Sequence, residues 1–225
     1  MIFVGDGALL WRAVRHAADR GHAVDLVCCG LRTEPPPGPH PVRRVADGGE
    51  LDALADELKS ACTDGIVWSI DNPFLFRAGV LGTGLRILNV HGGPLPGYRG
   101  LPLATVAYAV LHGETEFAAT LHEVGAGIDD GPVLAEERFP VEPDAVFEDV
   151  MLDLVEAAHA VFADNLEPVL QGAVGSGSPA EGTPGYFGLR EARALPEHRA
   201  HPRYPQATDL GMFEDFYPEA AEAWA

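Results

Sequence analysis

Asn89-Val90-His91 closes the apolar run Leu85-Arg86-Ile87-Leu88 and leads into a stiff loop, Gly92-Gly93-Pro94-Leu95-Pro96-Gly97-Tyr98-Arg99-Gly100. Further along, Gly125-Ala126-Gly127-Ile128-Asp129-Asp130-Gly131 carries a carboxylate on a glycine-rich turn. Alternate residues of a strand point to the same face, so Asn89 and His91 can aim an amide and an imidazole at one spot. Amide, imidazole and carboxylate are the groups needed to move an acyl group from one nitrogen to another. The amide donates to an oxygen that gains negative charge, the imidazole handles a proton, and the carboxylate orients the imidazole.

The elements that must position these groups read as α/β. Residues 2–5 form a buried strand, Gly7 opens a helix that Gly21 closes, and residues 23–29 form a second apolar strand. This βαβ opening predicts a Rossmann-like, open, mostly parallel sheet with helices on both faces. The run Glu34-Pro35-Pro36-Pro37-Gly38-Pro39 is a loop, because proline suits neither a helix interior nor a ladder. A helix is expected over residues 49–62, strands over 66–70 and 85–90, and a short helix over 74–80. Residues 102–112 form a helix with proline in its first turn, where the missing N–H costs nothing. Strands over 117–123 and 133–139 flank the Gly-Asp turn, and a long amphipathic helix spans 145–170. The chain thus divides into a catalytic domain, 1–171, a linker, 172–185, and a C-terminal tail, 186–225. The tail holds Tyr186, Phe187, Tyr204, Phe213, Phe216, Tyr217 and Trp224, too many aromatics for a solvated segment. It is expected to pack on the domain or on a partner subunit, and a homodimer is one arrangement that would do this.

Composition narrows the partners. The 225 residues are 47% hydrophobic, enough for a full core. The net charge is −19, with a pI near 4.6. Such a surface repels phosphate backbones, and Arg43-Arg44 is the one tight basic pair, so no nucleic-acid partner is expected. Cys28, Cys29 and Cys62 form neither a disulfide framework nor a spaced metal site, and no metal is expected. No apolar stretch reaches the ~18 residues of a membrane span, and residues 1–4 are too short for a signal peptide. The expected setting is the cytoplasm, away from membranes. Val4-Gly5-Asp6-Gly7-Ala8 suggests a dinucleotide-binding turn, but Leu10 stands at the third glycine of that fingerprint. The second strand also lacks its closing acid, and a plain strand-to-helix turn suffices.

The segments Asn-Val-His-Gly-Gly-Pro-Leu-Pro-Gly-Tyr-Arg-Gly (89–100) and His-Gly-Glu-Thr-Glu (112–116), with Gly-Ile-Asp-Asp-Gly (127–131), resemble the folate-dependent N-formyltransferase family. That family includes glycinamide ribonucleotide, methionyl-tRNA and amino-sugar formyltransferases. The resemblance runs over residues 2–170 and is densest over 87–134. It implies Asn89 as the oxyanion-binding amide, His91 as the catalytic imidazole and Asp129 as the catalytic carboxylate. Asp130 occupies a position commonly held by a small residue, but Gly131 keeps the motif's spacing from Asp129. The resemblance also implies 10-formyltetrahydrofolate as co-substrate, held at Ile70, Asp71, Asn72 and Phe74 and at Glu123, Val124, Gly125 and Ala126. Arg99 and His122 are candidate contacts to the acceptor. The expected acceptor is a small or carrier-bound amine of specialised metabolism, since these residues leave no stretch for the second domain of methionyl-tRNA formyltransferases. A formyltetrahydrofolate hydrolase with the same Asn-His-Asp set, or a non-catalytic Rossmann-like binding protein, are the alternatives.

Overall fold

A computed structural model describes residues 1–32 and 34–225. In chain order the elements are β1 (Ile2–Gly5), α1 (Ala8–Asp19), β2 (Leu26–Cys29), β3 (Val42–Arg44), α2 (Gly48–Ala53), α3 (Ala55–Ala61) and β4 (Ile66–Ile70). Then come α4 (Ala78–Leu81), β5 (Arg86–His91), β6 (Arg99–Gly100), α5 (Pro102–His112), β7 (Glu116–Glu123), β8 (Val133–Pro140) and α6 (Phe147–Leu170). The last stretch holds β9 (Tyr186–Phe187), α7 (Leu189–Ala194), α8 (Tyr204–Ala207) and α9 (Pro218–Trp224), with 3-10 turns at Leu195–His198 and Gly211–Phe213.

Seven strands form one sheet in the order β3-β2-β1-β4-β5-β7-β8. The first five run parallel, whereas β7 is antiparallel to β5 and β8 to β7. This is the Rossmann-like, mostly parallel sheet that the βαβ opening predicts. Strand parity sorts its two faces. Phe3, Trp68, Leu88 and Val90 share one core with α1, α5 and α6, while Ile2, Val4, Val67 and Ile87 share the other with α2, α3 and α4. On the first face Phe162 of α6 meets Trp68 and Phe3 edge-on, with centroids 4.9 and 5.9 Å apart. Such aromatic pairs add about 1 kcal/mol beyond the area they bury, so α6 is pinned firmly to the sheet.

The expected helix over 49–62 is interrupted at Leu54, whose N–H turns back to the Leu51 carbonyl before α3 begins. Asp52 leaves the helix surface to accept the Val80 N–H at 2.9 Å, tying α2 to α4. The helix expected over 74–80 starts later, at Ala78, because Asn72 ties up the Phe74 N–H and carbonyl in a turn. After α6 the chain folds back onto α5 and α6. Leu195, Ala207, Leu210 and Trp224 are buried in the core those helices share. The Trp224 indole donates to the Ala192 carbonyl, and the Tyr204 hydroxyl donates to the Trp224 carbonyl. No helix among the described residues is long and apolar enough to cross a membrane.

Candidate active site

Asn89 and His91 have the parity of Ile87, so both side chains leave β5 on the face covered by α2, α3 and α4. They sit at the C-terminal end of the parallel strands, where open α/β sheets form their ligand crevice. On antiparallel β7, His122 lies opposite Asn89 and Thr120 opposite His91, which brings a second imidazole to the same face. Ser69 on β4 lies beside Asn89 and completes the row.

A one-way chain of hydrogen bonds fixes the amide. Asn72 Nδ2 donates to Ser69 Oγ at 3.0 Å, and Ser69 Oγ donates to Asn89 Oδ1 at 2.7 Å. Asn89 Nδ2 then donates to His122 Nε2 at 3.0 Å, and His122 Nδ1 donates to the Glu123 carbonyl at 2.9 Å. With its oxygen held by Ser69, Asn89 keeps one N–H for a ligand.

His91 is buried and donates Nε2–H to the Tyr98 carbonyl at 2.6 Å. Its Nδ1 lies 3.5 Å from Asp129 Oδ2, while His122 Nε2 lies 3.6 Å from Asp129 Oδ1. Burial lowers the His91 pKa from the usual imidazole value, against the opposing pull of Asp129 and the Tyr98 carbonyl. His91 is therefore a neutral base whose free lone pair is on Nδ1. Burial acts to raise the Asp129 pKa, but the adjoining His122 and His91 rings and the Gly100 N–H outweigh it and hold this carboxyl below the usual range. The Gly100 N–H reaches Asp129 Oδ2 at 2.9 Å. Asp129 itself is in the left-handed region, φ 49, the bend that turns its carboxylate inward. Asp130 points elsewhere, packed so closely on Gly125 and Gly127 that side chains at either position would collide with it.

Ile70 is the buried last residue of β4, and Asp71 leaves the strand at φ 47 with its carbonyl bonded to the Asp6 N–H. Asn72 and Phe74 form the turn described above; of the four only Asn72 reaches the Ser69–Asn89 row, and the Ile70 side chain belongs to the opposite core. The Glu123 carboxylate is committed to Arg86 at 2.6 Å, leaving only its backbone toward the site. Val124 donates its N–H to the Ile87 carbonyl, and Gly125 and Ala126 run on into the Asp129 turn. Arg99 turns away from this cluster, with Nε donating to the Gly185 carbonyl at 3.4 Å. His122 is buried behind Asn89 and Asp129. His112, at the end of α5, bonds the Tyr98 hydroxyl. Sequence reasoning missed Ser69, the Tyr98 carbonyl and the Gly100 N–H. Ser69 alone had a signal, the polar residue on the Ile66–Ile70 strand one register step from Asn89.

From the Asn72 turn a crevice of about 540 Å³ opens over the ends of β1 to β4, lined by Asp6, Arg32, Asp47, Phe74, Leu75 and Arg77. Pockets of a few hundred to a thousand cubic ångströms accept whole small-molecule ligands. Arg32 Nε donates to the buried Asp6 carboxylate at 3.1 Å. Among the described residues one group has metal-ligand spacing, Asp25, Cys62 and Asp64. The N-terminal ammonium already lies 2.7 Å from Asp25 and 3.2 Å from Asp64.

Comparison with known proteins gives the same direction. The family model described as formyl transferase matches residues 48–166, which include every residue of the Asn72-to-Asp129 network. A methionyl-tRNA formyltransferase of Sorangium cellulosum is 35% identical over 85 residues, 38% of this chain and 27% of that protein. The chain thus spans well under half the length of this curated relative. Among solved structures, an N-formyltransferase from Helicobacter canadensis, crystallised with folinic acid and dTDP-3-aminofucose, superposes with a TM-score of 0.67. It is 16% identical over 84% of this chain and 71% of its own. Glycinamide ribonucleotide transformylase 1 from Symbiobacterium toebii superposes with a TM-score of 0.64, 21% identical over 76% of this chain and 86% of its own.

Proposed function

The chain belongs to the formyl transferase family, and from that premise we propose that it is an N-formyltransferase using 10-formyltetrahydrofolate as co-substrate. Asn89, His91 and Asp129 act as its catalytic residues. The observation that carries this reading is that His91 Nδ1 and His122 Nε2 both face the Asp129 carboxylate while the Asn89 amide is bonded to His122.

Each residue has a chemical task. Bound at the Asn72 turn, the folate supplies the formyl carbon. The spare Asn89 N–H meets the negative charge that builds on the formyl oxygen, a donor typically worth ~3 kcal/mol in the transition state. His91 Nδ1 accepts the proton that the attacking amine becomes acidic enough to lose, and the resulting imidazolium returns a proton to N10 as the formyl C–N10 bond breaks and tetrahydrofolate leaves. Asp129 stabilises the imidazolium that results and, with His122, draws an incoming amine toward the reacting carbon. The crevice beside the Asn72 turn would offer a folate Phe74 and Leu75 as apolar walls and Arg32 and Arg77 as cations for its anionic tail. The Helicobacter relative's folinic acid supports the same choice. Ile70, Asp71, Asn72, Phe74, Glu123, Val124, Gly125 and Ala126 would present it mainly with backbone groups.

The acceptor proposed is a small amine or a carrier-bound aminoacyl group of specialised metabolism, since a net charge of −19 disfavours tRNA. Calorimetric titration with folinic acid, a stable analogue of the donor, tests the folate site. Saturable binding that weakens about tenfold or more in Asn72→Ala is expected, because that change frees the turn which lines the site. No heat of binding to the intact protein would contradict it.

A further inference from the structure

We propose that β9, beyond the matched family region, is part of the catalytic machinery, with Phe187 as the positioning residue that holds His91 and Asp129 in register through Tyr98 and Gly100. The two backbone groups that fix the catalytic pair come from one tripeptide. Tyr98 gives the carbonyl that receives His91 Nε2–H, and Gly100 gives the N–H that reaches Asp129. This tripeptide lies outside the seven-stranded sheet and, among the described residues, its strand partner is β9, in parallel.

Three hydrogen bonds bracket the segment. The Arg99 N–H donates to the Gly185 carbonyl at 3.1 Å, the Leu101 N–H to the Phe187 carbonyl at 2.8 Å, and the Gly185 N–H to the Pro96 carbonyl at 2.9 Å. Successive N–H groups of an extended chain point to opposite sides. With those of Arg99 and Leu101 turned to β9, the N–H of Gly100 between them is aimed the other way, at Asp129. Gly100 is at φ 117 and lies so close to β9 that a Cβ would collide with the Phe187 carbonyl. Only glycine allows this approach.

The ring of Phe187 fixes the other end. It stacks on Tyr98, centroids 5.1 Å apart and planes 18° apart, and packs on Tyr108 at 4.9 Å. Phe117 closes the far side of Tyr98 edge-on, and Glu114 and His112 hold its hydroxyl. The Tyr98 carbonyl therefore has one position, and with it His91 has one tautomer. Without β9 the tripeptide loses its ladder partner, Tyr98 loses its stack, and both anchors of the catalytic pair are loosened.

The kinetic part of this inference rests on the transferase reading; the tautomer part does not. Phe187→Ala is compared with Leu195→Ala, which opens a cavity at a buried tail residue outside the β6–β9 pair. Both are checked for folding by circular dichroism and thermal melting. Phe187→Leu, which keeps apolar bulk without the stack, is read if the alanine variant is unfolded. Phe187→Ala is expected to lower kcat about tenfold or more with KM for both substrates little changed. The acidic limb of its pH–rate profile should move to lower pH, since the Tyr98 carbonyl and Asp129 both favour protonated His91. In histidine ¹⁵N spectra of the free protein, His91 should pass from a single Nε2–H tautomer to a mixture. Leu195→Ala should lose thermal stability and change none of these. Folded Phe187→Ala with unaltered kcat, limb and tautomer would overturn the proposal, as would a Leu195→Ala variant that reproduces the changes. Should the wild type formylate no amine, the transferase reading falls while the tautomer comparison still decides the role of Phe187.

Discussion

Among single residues, three side chains have separate duties in the proposed reaction. Asn89→Ala, His91→Ala and Asp129→Ala are each expected to lower kcat about a hundredfold or more, roughly 2.7 kcal/mol of barrier, with the fold retained in circular dichroism. Asp130→Asn should cost far less, because Asp130 faces Gly125 and Gly127 and not His91. If Asp130→Asn is the inactive variant and Asp129→Asn the active one, the roles given to the turn are reversed. The pH dependence follows from burial of His91. The proposed base is the neutral form and burial lowers its pKa, so the acidic limb of kcat should lie below the usual imidazole value of 6.5. Asp129→Asn removes a charge that favours protonation and should move the limb lower still, which stopped-flow or steady-state pH profiles can read. The same depression links to stability. The unfolded chain binds a proton near 6.5 that native His91 refuses, so this contribution is whole above that pH and is lost as pH falls below it. Asn89, His91 and Asp129 were legible in the sequence because their chemistry lies in side chains at strand-end and turn positions. Tyr98 and Gly100 were not, because they act through backbone atoms, which any residue carries.

At the element scale, long periodic segments were readable and short pairings were not. The helix expected over 102–112 matches α5, since Pro102 and Gly113 punctuate it at both ends. The strand over 66–70 matches β4 because an apolar run between turn residues has no other use. By contrast β3 has three residues at a sheet edge, and β6 and β9 have two each, too few for any period to show. The partner of β6 also lies some ninety residues away in sequence, a pairing that local patterning cannot announce. Gly100→Ala tests the tightness of that pairing. The positive φ and the collision with Phe187 together should lower the melting temperature and weaken the Asp129 anchor, reducing kcat as well. A variant as stable and as active as the wild type would show that β9 can withdraw from β6 without consequence.

At the scale of the whole molecule, charge and crevice choose the partners. With a net charge of −19, repulsion from tRNA should be strong at low salt and partly screened at ~0.15 M, where the Debye length is ~8 Å. Methionyl-tRNA should therefore be a poor acceptor beside small amines, and efficient formylation of it would contradict the acceptor proposal. Turnover should survive EDTA, because the proposed mechanism assigns proton transfer and oxyanion contact to His91, Asp129 and Asn89; strict metal dependence would contradict it. The sequence bounded this level only through composition, since neither the crevice nor its Arg32 and Arg77 rim is visible until β1 to β4 are side by side. Transfer of a formyl group to nitrogen can be followed by NMR through the ¹³C-labelled formyl carbon of 10-formyltetrahydrofolate, with and without a panel of amines. Label is expected in a formamide only when an amine acceptor is present, at a rate abolished in His91→Ala. Label released as formate without any amine would mark a hydrolase, and label left on the folate under all conditions would mark a binding protein.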